Sequence, residues 1–139
     1  MSDSPSSLSD SDYARLADFR YALRRFMHFS ERAAASEGLK PQQHQVLLAI
    51  RGRAAGSTTV GVLAERLRLK HHTTVELVQR LEAAGLVTKH AAPGDRRSMV
   101  LELTPEGSAR LERLSLAHRS ELKHLGPEIL KLLSTLDHS

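Results

Sequence analysis

Three groups of residues in this chain have types and spacing that could do chemistry. One is an acid followed by two bases, Asp95, Arg96 and Arg97, inside PGDRRSMVLELTPEG. Another is the polar run HHTTVELVQR, which carries His71, His72, Thr73, Thr74, Glu76, Gln79 and Arg80 among its aliphatic residues. The third is a scatter of histidines, His28, His44 and His118. Guanidinium groups suit phosphate oxygens, and hydroxyl, amide and guanidinium groups together suit the edges of bases. The histidines have no close His or carboxylate neighbour at metal-ligand spacing, and His71 and His72 diverge as adjacent helix positions, so no metal and no cofactor is expected. An enzyme would need a nucleophile with its base, paired carboxylates or a phosphate-cradling glycine loop. Glu76 and Glu82 share a helix with Arg80 between them, which reads as surface pairing. The expectation is no enzyme.

The whole chain narrows this further. Its 139 residues are 40% hydrophobic and 26% charged, a composition for one domain or one subunit of an oligomer. There is no cysteine, which excludes disulfides, zinc fingers and thiol redox sensing. The polar, acidic opening MSDSPSSLSDSD does not read as a secretory signal, and no apolar run reaches the roughly 20 residues of a membrane span. A cytoplasmic protein without a membrane partner is expected. The net charge is +4 and the pI about 9.8. Between Thr59 and Arg97 seven bases face four acids, so most of the excess sits mid-chain. Concentrated positive charge suggests a polyanion, although a small excess also suits a solvated face.

The elements that would position these groups follow from periodicity. Residues 1–9 read as a disordered arm. Residues 11–37 space Tyr13, Leu16, Phe19, Leu23, Phe26 and Phe29 as a helix holds them, and this helix carries every Phe and Tyr of the chain. Gly38 ends it and Pro41 suits the first turn of the next, with Val46, Leu47 and Ile50 inward. Thr59 caps a third helix with Val62, Leu63 and Leu67 inward. Three residues later HHTTVELVQRLEAAG begins a fourth, with Val75, Val78 and Leu81 as its apolar stripe and Leu77 at the edge. Two short helices joined this tightly make a helix-turn-helix candidate. Period-two alternation in LVTKH and SMVLEL, with AAPGDRR between them, then reads as a β-hairpin. Arg96 and Arg97 at its tip would reach phosphates or the minor groove, with Asp95 pairing to Arg97; the alternative is that they only keep a strand edge soluble. Thr104 and Pro105 start a fifth helix, and Gly126-Pro127 breaks it before a short sixth. Apolar helices at both ends leave one subunit little core in which to bury them, so mutual burial in a two-fold dimer is the economical arrangement.

LKPQQHQVLLAI, VGVLAERL, VELVQRLEAAGLV and DRRSMVLELTPEG, in this order, resemble the MarR family of bacterial transcription regulators. The resemblance covers residues 11–136. It implies a mainly α fold with a small hairpin wing: residues 41–104 as the winged helix-turn-helix, and residues 11–37 and 105–138 as the dimerisation helices of a single domain 1–139. It implies a homodimer on a pseudo-palindromic double-stranded operator, usually as a repressor. By position His72, Thr73 and Glu76 would face bases and Arg97 would be the wing arginine. Glu76 departs from the commoner neutral or basic choices and could accept from cytosine N4. Many family members also release DNA on binding a small phenolic or aromatic acid; here Arg24, Phe26, Phe29, His44 and Leu47 would line that pocket, or would be plain core. A protein-interaction module that kept the fold without binding DNA is the rival reading, and the wing arginines count against it.

Overall fold

The computed structural model describes residues 7–92 and 95–136, the side chains at 95–98 and 136 excepted. Its elements are α1 (Asp10–Ser36), α2 (Pro41–Arg51), α3 (Val60–Leu67), α4 (His71–Ala83), β1 (Val87–Ala92), β2 (Asp95–Leu103) and α5 (Pro105–Leu136). The described residues thus hold five helices rather than six, because α5 runs on through Pro127. Proline lacks the N–H for one helical bond, and its ring crowds the residue before it. That residue is Gly126, with no Cβ to be crowded, so the helix survives a proline that would ordinarily end it.

Local signals start and stop the elements. Ser9 and Asp12 form a reciprocal cap at the start of α1, the Ser9 N–H donating to Asp12 Oδ2 (3.0 Å) and the Asp12 N–H to Ser9 Oγ (3.2 Å). Gly38 and Gly85 end α1 and α4 at φ values of 73° and 76°, which a glycine adopts without a Cβ penalty. Thr59 caps α3 through the Val62 N–H (3.2 Å). Thr104 accepts from the Gly107 N–H (3.0 Å) and donates its own proton to the Gly85 carbonyl (2.6 Å). One hydroxyl therefore joins the end of α4 to the start of α5, on either side of the hairpin. Gly107 is needed for space: an added Cβ would overlap the Leu86 carbonyl.

The chain divides into two compact units, residues 33–116 and residues 1–32 with 117–139. The first closes around Ala34, Val46, Leu47, Leu63, Val78, Leu81, Val87, Leu101 and Leu114, drawn from the end of α1, from α2 to α5 and from both strands. Each large aliphatic side chain fully withdrawn from water there contributes about 1.5–3 kcal/mol. Glu37 fastens the start of α5 within this unit, accepting from Arg113 Nε at 2.8 Å through its carboxylate and from Arg110 at 3.2 Å through its carbonyl. In the other unit, His118 Nε2 lies 2.8 Å from Ser30 Oγ, and the rings of Phe26 and Phe29 stand edge-on to the imidazole at 5.7 and 5.5 Å. Ala22 and Leu125 are buried there, yet Tyr13, Leu16, Tyr21, Leu23, Met27, Leu122, Leu130 and Leu133 are exposed.

Candidate nucleic-acid interface

The turn between α3 and α4 is three residues long, and Arg68 takes the left-handed conformation in it (φ 57°). The Arg68 and Leu69 N–H groups close the end of α3 on the Glu65 and Ala64 carbonyls at 3.2 and 2.9 Å. A left-handed arginine costs about 1 kcal/mol where glycine would cost little. The sharp turn it permits sets α4 against α3 and leaves the cations Arg66, Arg68 and Lys70 exposed on that side.

In α4 the buried positions are Thr74, Leu77, Val78 and Leu81, an i, i+3, i+4, i+7 set. This rotates the inward face from the one read in the sequence. Leu77 belongs to the core, and Val75 is only half-buried. Thr74 is the larger correction. Its side chain has no exposure and its hydroxyl donates to the Lys70 carbonyl at 3.0 Å, so it packs the helix and cannot read a base. A small residue with a satisfied hydroxyl fits a core position that polarity alone assigns to the surface. His71, His72, Glu76, Gln79 and Arg80 remain exposed, with Thr73 half-buried beside them. Among the described residues no side-chain hydrogen bond or ion pair engages His72, Glu76, Gln79 or Arg80. Glu82 pairs with Lys89 of β1 (3.3 Å) rather than with Arg80, which ties the helix to the hairpin and leaves Arg80 free for a partner.

The hairpin is longer than the alternation predicts. β1 and β2 pair antiparallel from Val87 opposite Leu103 to Ala92 opposite Asp95, with a register shift at Ala91/Ala92. Asp95, Arg96 and Arg97 therefore have strand backbones instead of lying in a loop. Their side chains, and the expected Asp95–Arg97 pair, lie outside the described residues. Alternation ended the reading at His90 and Ser98 because the charged residues between them do not look like strand. The sheet accepts them since an edge strand tolerates charge. On the described part of the wing, His90 Nε2 lies 2.9 Å from Thr88 Oγ1 and 3.6 Å from Glu102 Oε2.

The residues read as a ligand pocket fall into different settings. His44 and Leu47 are buried in the unit of residues 33–116, at 3% and 0% exposure. In the other unit, Phe26 and Phe29 flank His118 and Arg24 is exposed. Arg24 borders a shallow hollow on α1 with Leu23, Met27 and His28. No three His, Asp or Glu side chains among the described residues could hold a metal ion together. No helix among them is long and apolar enough to cross a membrane.

Comparison with known proteins agrees with this geometry. The MarR family model matches residues 37–98, from the end of α1 into β2. An organic hydroperoxide resistance transcriptional regulator of Bacillus subtilis is 32% identical over 88 residues, 56% of this chain and 60% of that protein. A Thauera aromatica protein named for regulation of the hcr operon is 29% identical over 98 residues, 70% of this chain and 58% of its own. The chain thus spans a little under two thirds of the curated relatives it matches. RV1404 from Mycobacterium tuberculosis superposes with a TM-score of 0.76 at 19% identity, over 97% of this chain and 98% of that one. A substituted MepR from S. aureus, bound to an oligodeoxyribonucleotide, gives 0.70 at 18%, over 94% and 99%. At such identities these likenesses show the fold, a winged helix flanked by long terminal helices.

Proposed function

We propose that the chain is a MarR-family transcription regulator that acts as a two-fold homodimer, binding a pseudo-palindromic DNA operator and repressing transcription there. The observation that carries this is α4: a buried stripe on one side and, on the other, His72, Glu76, Gln79 and Arg80 exposed and unengaged among the described residues. A helix with that division, held by a short turn against α3, can enter a major groove and offer its polar face to base edges. Arg66, Arg68, Lys70, Arg96 and Arg97 supply the phosphate contacts, and His71, His72, Thr73, Glu76, Gln79 and Arg80 the reading face. The family is one of DNA-binding regulators and not of enzymes, and nothing here calls for catalysis.

Dimerisation is supported by the exposed apolar residues of α1 and α5, which a single copy leaves in water. Relief by a small aromatic or phenolic ligand is part of the proposal, with Arg24, Phe26 and Phe29 as the residues to probe; His44 and Leu47, being buried, would have to act through packing. The related B. subtilis regulator is named for organic hydroperoxide resistance, but thiol chemistry is closed to these 139 residues, which include no cysteine. The direct test is Arg97→Ala in a DNA titration across salt concentrations. We expect weaker binding to all sequences and a salt slope lower by about one unit per half-site. A loss confined to some sequences with an unchanged slope would remove Arg97 from its phosphate role.

A further inference from the structure

Within residues 33–116, the loop from α2 to α3 and the base of β2 surround a hollow of about 190 Å³. Ile50, Ala54, Leu101 and Leu103 give it apolar walls, and Arg53 and Thr58 give it polar ones. Thr58 is 1% exposed, and its hydroxyl has no hydrogen-bond partner among the described residues. Arg53 Nε is likewise buried without one. Native folds rarely leave two buried donors unpaired beside the same space. Thr58 does not sit there loosely. The Thr58 carbonyl accepts from the Leu101 N–H at 2.8 Å, which pins the loop to β2, and Ser57 Oγ closes the loop on the Ala54 carbonyl at 2.6 Å.

The space is too large for one bridging water; at about 30 Å³ per water of liquid volume it would take roughly six. Charge favours an anion. Arg51 and Arg53 border the hollow against one acid, Glu102, whose carboxylate lies 3.6 Å from His90. Two donors match the two oxygens of a carboxylate, whereas the apolar walls and Glu102 suit a phosphate dianion poorly. We propose that this hollow binds a small organic monocarboxylate, with Arg53 and Thr58 donating to its oxygens and Ile50, Ala54, Leu101 and Leu103 covering its hydrocarbon part. Because the site lies at the base of the wing, away from the exposed face of α4, occupancy can be measured without DNA, and the proposal stands or falls independently of operator binding.

The test is a titration of the full chain with hexanoate, hexanamide and inorganic phosphate, followed by amide NMR shifts. Hexanoate should shift the Thr58 and Leu101 amides saturably, and hexanamide and phosphate should bind roughly tenfold more weakly or not at all. Arg53→Gln should weaken hexanoate by about tenfold. Thr58→Val should weaken it several-fold while melting no lower than the parent, since it removes an unpaired buried hydroxyl. No saturable shift with hexanoate, equal binding of hexanamide or phosphate, or undiminished binding in both variants would overturn the assignment.

Discussion

Residues 33–116 and the unit formed by the two ends of the chain use the same aliphatic side chains to opposite effect. The first withdraws Leu47, Leu63, Val78, Leu81 and Leu101 almost wholly from water, while the second leaves Tyr21, Met27, Leu122 and Leu130 exposed. The winged-helix part is a closed structure whose polar outer face is free to bind something else. The terminal helices present an apolar face that, in water, favours covering by a second apolar surface. In the proposed function that surface would come from a second copy of the same chain under two-fold symmetry, which would bring two α4 helices to one operator.

The largest test of this contrast lies in the closed core. Leu81→Ala should cost about 2–5 kcal/mol in chemical denaturation, because the site is fully enclosed and cannot collapse. A cost under 1 kcal/mol would mean that the core is looser than its burial indicates. Next comes the open face. Leu130 is 68% exposed, so Leu130→Glu should leave the fold of a single copy nearly unchanged. In a dimer it should weaken self-association by at least roughly tenfold, read by sedimentation equilibrium. If association is unaltered, the dimer face does not include this part of α5. The smallest effect concerns the start of α1. Hydrogen bonds from the Ser9 N–H and hydroxyl, joined by the nearby Arg15, hold the Asp12 carboxyl below its ordinary value of 3.8. A carboxylate favoured in the fold contributes stability that is fully present above that ordinary value and fades as pH falls through the lowered one. Protection from hydrogen exchange at the first turn of α1, taken relative to the intrinsic amide rate at each pH, should therefore fall on acidification below about pH 4, and Asp12→Asn should flatten that dependence.

Much of this architecture was legible in the sequence because its signals are local. Gly38, Pro41, Thr59, Gly85 and Thr104 mark element boundaries through backbone chemistry that needs no neighbours. The readings that failed depend on tertiary context. Gly126-Pro127 looks like a break because proline usually is one, and the absent Cβ of the preceding residue offsets it only within a continuing helix. Thr74 looks like surface because it is polar, but a hydroxyl that bonds its own helix can be core. Asp95, Arg96 and Arg97 look like loop because charge hides a strand. At the candidate site the polar face of α4 was readable from spacing. The hollow beside Thr58 was not, since it arises where a loop meets a strand some 40 residues further along the chain.

The central claim, a dimer that reads DNA with α4, is tested most directly by selecting bound sequences from a random DNA library with the purified protein at two salt concentrations. The account predicts an enriched inverted repeat with half-site centres about one helical turn apart, or a multiple of it, and a yield that falls steeply as salt rises. No enriched sequence, together with weak salt dependence, would contradict it and leave the cations of the turn and wing as solubilising charges alone.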